Sequence, residues 1–63
     1  MDLWELAKTE QAAYELELVG IVELWLDGKI TEDEGNALAA GATAQHELTL
    51  GLITATLASE LAS

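Results

Sequence analysis

Cysteine and proline are both absent from the 63 residues, and each absence narrows the structures open to the chain. Without cysteine there is no disulfide and no thiolate metal site, and the redox compartment cannot be inferred. Without proline, no position carries the residue that most strongly interrupts a helix. A chain this short buries only about 60% of its unfolded surface, so a monomeric core is marginal. Because disulfides are excluded, oligomerisation is the expected source of further stability.

Basic residues are scarce, with two lysines against 12 acidic residues and a formal charge of −10. Nucleic acids and anionic membrane surfaces are therefore not expected as direct partners, because phosphates repel such a protein. A basic protein is an electrostatically suitable partner. The acids are equally compatible with a solvated surface that only keeps the protein soluble.

A basic leader and a long hydrophobic run are also missing. The first five residues lack the basic segment and apolar run of a signal peptide. The longest uncharged run, Leu48 to Ser59, has twelve residues and contains three threonines, which is too short for a membrane-spanning helix. We expect a cytoplasmic protein with no membrane partner. If the chain is encoded by a phage, which its size and composition fit, it could instead lie within a virion.

The residues that are present favour helix. Apolar residues make up 51% of the chain, and they are mostly leucine and alanine, which rank high in helix propensity. Asp2 and Glu5 have the spacing of a capping box, and so do Thr31 and Glu34. Gly28 suits the left-handed position that ends a helix. These signals predict two helices joined by a short turn.

The predicted fold class is all-α, with an antiparallel two-helix hairpin expected to dimerise into a four-helix bundle. A larger helical assembly is the alternative. The turn is too short for any arrangement other than antiparallel neighbours. The prediction has one domain over residues 1–63, with helix 1 at about 2–27, the turn at 28–30 and helix 2 at about 31–61.

The turn segment resembles the second half of an EF-hand calcium loop. Asp27 and Gly28 are followed at matching spacing by Ile30 and Glu34, and in that family the glycine makes the turn and the last glutamate binds calcium with both oxygens. Trp25, however, stands where an oxygen ligand is required. We therefore predict a hairpin turn built from a glycine and cap residues, and we predict no metal and no other cofactor.

Self-association is predicted from three lines of residues. Helix 2 carries a ridge of small side chains, which permits close helix approach, and a second face of leucine and isoleucine. Residues 35–63 contain two acids, whereas residues 1–34 contain ten, so helix 2 is expected to lie at the centre of an assembly. An aromatic stripe on helix 1 is expected to pack against it. The predicted residues are Ala37, Ala40, Ala44, Gly51, Ala55 and Ala58 of the small ridge, Leu50, Ile53 and Leu57 of the second face, and Trp4, Tyr14, Leu18 and Trp25 of the stripe.

No catalytic constellation is present, so we predict that the protein is not an enzyme. His46 and Glu47 are adjacent, but the helical metal-ligand spacings are missing, and His46 is interpreted as a packed interface residue. The predicted function is a small acidic interaction or assembly protein that self-associates through helix 2. The alternative is an acidic inhibitor that mimics DNA and binds a basic, nucleic-acid-binding protein. Its candidate residues are Glu5, Glu10, Glu15, Glu17 and Glu23.

Overall fold

The computed structural model describes residues 2–62, and they form two helices packed side by side. Helix α1 spans Leu3–Leu26 and helix α2 spans Glu32–Ala62. No residue in that range lies in a strand. The hairpin measures 51 × 17 × 9 Å, so it is a single layer of two helices. The expected all-α hairpin is confirmed.

Capping residues explain where the helices begin and end. The Asp2 carboxylate accepts a hydrogen bond from the Trp4 N–H at 3.0 Å, which satisfies a free amide of the first turn of α1. At the start of α2, the Thr31 N–H donates to Glu34 Oε1 at 2.9 Å, and the Glu34 N–H donates to Thr31 Oγ1 at 3.1 Å. This reciprocal pair is a complete capping box.

The end of α1 is a Schellman motif. The Lys29 N–H donates to the Leu24 carbonyl at 2.9 Å, and the Gly28 N–H donates to the Trp25 carbonyl at 3.0 Å. This geometry needs a left-handed residue, and Gly28 has φ +73°. A glycine adopts that backbone conformation without the steric cost that a Cβ would add. Chain reversal at this point makes the two helices antiparallel.

The two helices meet along a narrow seam in which residues recur at spacings of three and four. On α1 the half-buried residues include Leu3, Ala7, Glu10, Tyr14, Leu18 and Ile21. On α2 they include Gly35, Ala39, Thr49, Leu50 and Leu57, which flank the buried Ala42, His46 and Ile53. This spacing is the heptad pattern of two helices whose axes are nearly aligned. Within residues 2–62 no side chain of α1 is fully buried, so one helix covers only one face of the other.

Candidate functional site

A polar cluster sits in the middle of the seam. The His46 ring stacks on the Tyr14 ring with centroids 4.0 Å apart and planes within 4°. His46 Nδ1 lies 3.2 Å from Glu10 Oε1, and Tyr14 Oη lies 2.7 Å from Thr43 Oγ1. Each of these buried or half-buried polar groups therefore has a partner, as stable packing requires. The cluster fixes the register of the two helices because a shift along the seam would separate all four partners.

The chemistry available in this cluster is limited to one imidazole beside one carboxylate. Among residues 2–62, no group of three or more His, Cys, Asp or Glu side chains is arranged to hold a metal ion. The Thr43 and Tyr14 hydroxyls are hydrogen-bonded to each other. The geometry matches a structural role for His46 in packing.

The small ridge lies on the opposite side of α2 from the seam. At 100° per residue, Ala44, Gly51 and Ala55 point roughly away from the buried His46 and Ile53. All six ridge residues are exposed: Ala37, Ala40, Ala44, Gly51, Ala55 and Ala58. An added Cβ at Gly51 would meet nothing within 4 Å. The ridge is thus a free surface of the hairpin.

Exposed leucines flank the ridge and extend the uncovered part of α2. Leu38, Leu48 and Leu52 are each roughly half exposed or more, and Leu61 is more exposed still. Between Gly35 and Ser59, α2 has a single charged residue, Glu47. We call the small ridge together with Leu48 and Leu52 the outer surface of α2. It combines an uncharged composition with the lack of a covering helix.

The other predicted self-association residues divide between seam and surface. Leu50, Ile53 and Leu57 of α2 lie in the seam, as do Tyr14 and Leu18 of α1. The aromatic ends of the predicted stripe do not: Trp4 is 65% exposed and Trp25 is 48% exposed. On α1 the seam runs through Leu3, Ala7 and Glu10 and leaves Trp4 on the surface.

The acidic candidates are also divided. Glu5, Glu15, Glu17 and Glu23 are exposed on α1, whereas Glu10 is half-buried and bonded to His46. Glu5 lies 3.6 Å from the ammonium group of Lys8, and Glu15 accepts a hydrogen bond from Gln11 at 3.2 Å. Such exposed pairs contribute little to stability.

A groove opens between the helices at the end of the molecule that carries the turn. Its apolar walls come from Leu18, Ile21, Val22 and Trp25 of α1 and from Gly35 and Ala39 of α2. Glu32 and Asn36 supply the polar edge, and the volume is about 480 Å³. Ligand grooves of this size and apolar character are common in proteins. The turn-end groove was not expected from the sequence.

Two features of these sites were not predicted from the sequence. The Glu10–His46 pair joins residues 36 positions apart. It could have been found by aligning the two helices about the turn, since residues whose numbers add to about 56 then face each other. The groove has no such signal in the sequence, because it depends on Gly35 and Ala39 of α2 lying opposite Leu18 and Ile21 of α1.

No protein-family model matches the chain, and no curated protein or solved structure matches it either. In the described range, no helix has the length and apolar character to cross a membrane.

Proposed function

We propose that the protein is a non-enzymatic interaction module that self-associates through the outer surface of α2. Two hairpins then bury their uncharged helices against each other and form a four-helix bundle, with the acidic α1 helices outside. The small ridge lets the two α2 helices approach closely, and the exposed leucines pack beside it. The acidic α1 helices keep the assembly soluble.

The observation that carries this proposal is the excess of exposed surface. The hairpin exposes 4745 Å². A folded monomer of 6.7 kDa is expected to expose about 3,900 Å². The difference, about 800 Å², is close to the area that each partner contributes to a standard protein interface.

The charge distribution supports the outer surface of α2 as the contact. A twofold dimer brings the same patch of each copy together, so every charge in the contact faces its own copy nearby. For a chain of charge −10, most surfaces would be repulsive in such a dimer. The outer surface of α2 avoids this cost because Glu47 is the only acid between Gly35 and Ser59.

Sedimentation equilibrium over a range of protein concentrations tests the proposal. We expect a concentration-dependent mass that reaches twice 6.7 kDa or a higher even multiple. Leu52→Asp places a charge beside the small ridge, within the proposed contact, and should shift the protein to monomer. Leu16→Asp is the matched control, because Leu16 is exposed on α1 and should leave the mass unchanged. A single species of 6.7 kDa at every concentration would overturn the proposal.

A further inference from the structure

The turn-end groove exists because α2 offers no large side chain to that part of the seam. Gly35 and Ala39 face Leu18 and Ile21, whereas at the opposite end Ile53 and Leu57 fill the corresponding positions. A Cβ built on Gly35 would come only within 3.7 Å of Ile30 Cδ1 and 3.9 Å of Ile21 Cγ2, which is ordinary contact distance. One methyl group would therefore fit at Gly35 without a clash, and the groove beside it has a volume of about 480 Å³.

The walls of the groove are apolar and its surroundings are acidic. Val22 is 51% exposed, and the Trp25 ring is half exposed beside it. Glu32 stands at the groove edge in the first turn of α2. The segment 27–34 contains four acids and one lysine. An occupant must match both properties, so it needs apolar side chains in the groove and positive charge around it.

We propose that the turn-end groove binds a basic amphipathic helix of a partner protein. Apolar side chains at helical spacing enter between Val22 and Trp25 on one wall and Gly35 and Ala39 on the other. Lysine or arginine residues beside them face Glu32 and the acids of the turn. Docking of an amphipathic helix into an apolar groove is a recurring mode of peptide recognition, and complementary charge adds rate and specificity.

A second copy of this chain fits the groove poorly. Its two lysines are Lys8 and Lys29, and Lys8 already lies 3.6 Å from Glu5. Helix α1 of a second copy would bring acids to the acidic edge of the groove, and helix α2 has no lysine or arginine to pair with that edge. The groove is also separate from the outer surface of α2, so this proposal goes beyond self-association and holds for a monomer or a dimer.

Tryptophan fluorescence of Trp25 reports the occupancy of the groove. In a Trp4→Phe variant Trp25 is the only tryptophan, because the chain has two. The probe is a synthetic peptide of leucine and lysine patterned as an amphipathic helix. We expect a saturable blue shift of Trp25 emission as the half-exposed ring is covered. Raising the ionic strength from about 0.01 M to about 0.15 M should weaken binding by about tenfold or more.

Val22 and Val19 provide a matched pair of variants. They are 51% and 52% exposed on the same helix, but only Val22 lines the groove. In the Trp4→Phe background, Val22→Asn should raise the peptide's Kd about tenfold because an apolar contact is lost. Val19→Asn should leave the Kd within about twofold. Glu32→Gln should raise the Kd about threefold, and Glu23→Gln, an equal change of charge on the exposed side of α1, should have a smaller effect.

Four outcomes would overturn the proposal. Equal losses in Val22→Asn and Val19→Asn would mean that net charge alone attracts the peptide. Equal binding of a leucine–glutamine peptide would remove the requirement for a basic partner. A blue shift caused only by raising the protein concentration would make a second copy the occupant. Failure of the leucine–lysine peptide to bind, with helical circular dichroism intact, would show that the groove is not a docking site.

Discussion

Leu52 and Ile53 are neighbours in the chain but lie on different sides of α2. Ile53 is 6% exposed and packs in the seam, whereas Leu52 is 65% exposed on the outer surface. Both sides of the helix are nearly free of charge. The hairpin fold therefore accounts for the composition of one side and leaves the other side without a covering partner.

The difference follows from the number of helices available. One helix covers only one face of another, and α1 covers the seam side of α2. A soluble helix normally carries charged residues on its uncovered face. On α2 that face consists mostly of alanine, glycine, leucine and threonine. Variants that separate the two sides of α2 are the most direct way to test this interpretation.

Substitution of Ile53 should produce the largest loss of stability. Ile53→Ala leaves a cavity in the seam and should lower the free energy of unfolding by about 2–4 kcal/mol. Leu52→Ala, measured at a concentration where the protein is monomeric, should lower it by less than about 1 kcal/mol, because little area is buried there. Urea denaturation followed by circular dichroism measures both. If Ile53→Ala does not fold, Ile53→Val should still show a loss of about 1 kcal/mol. Equal losses at positions 52 and 53 would contradict the assigned faces.

Substitutions on the small ridge should affect association more than folding. Ala44→Leu and Ala55→Leu each add a large side chain where two α2 helices are proposed to meet. Overpacking of such a contact costs about 1–3 kcal/mol per site, so the dimer should dissociate at higher protein concentration. Ala12→Leu is the control, since Ala12 is exposed on α1. Native mass retained by both ridge variants would show that the ridge is not a contact.

The polar cluster on the covered side of α2 should contribute less to the free energy of unfolding than Ile53 does. Tyr14→Phe keeps the ring that stacks on His46 but removes the hydroxyl that lies 2.7 Å from Thr43 Oγ1. Loss of one part-buried hydrogen bond typically costs about 1 kcal/mol. A double-mutant cycle with Thr43→Val isolates that bond from other effects of each substitution. A coupling energy near zero would mean that the Tyr14–Thr43 contact adds nothing to stability.

The sequence was sufficient to predict the hairpin because its signals are local. Gly28, Thr31 and Glu34 define the turn and the caps through bonds to residues three to five positions away. The phase of the seam is not local, because it depends on how α1 rotates against α2. Trp4 belongs to a regular apolar stripe, yet it lies outside the seam. Glu10 is charged, yet it takes a seam position because His46 lies opposite and its Nδ1 is hydrogen-bonded to Glu10 Oε1.

The groove could not be predicted for the same reason. The groove depends on the small size of Gly35 and Ala39. Small residues leave a groove only where a second helix lies beside them. The small ridge predicted for self-association does not include Gly35 or Ala39. The structure places these two residues at the groove, whereas Ala44 and Ala55 of the ridge lie on the outer surface.

The cap of α2 should give the smallest effect, visible as a pH dependence. The hydrogen bond from the Thr31 backbone N–H, and then the bond with the Thr31 side chain, hold the pKa of Glu34 below its ordinary value of 4.5. The Glu34 carboxylate therefore stabilises the fold fully above about pH 5, and this contribution declines as the pH falls through its lowered pKa.

Glu34→Gln keeps an acceptor but cannot titrate. The difference in unfolding free energy between wild type and Glu34→Gln should be constant near neutral pH and should narrow below about pH 4.5. Thr31→Ala removes the hydroxyl but keeps the backbone donor, so it should retain part of this pH dependence. Parallel curves for wild type and Glu34→Gln down to acid pH would contradict the assigned capping box.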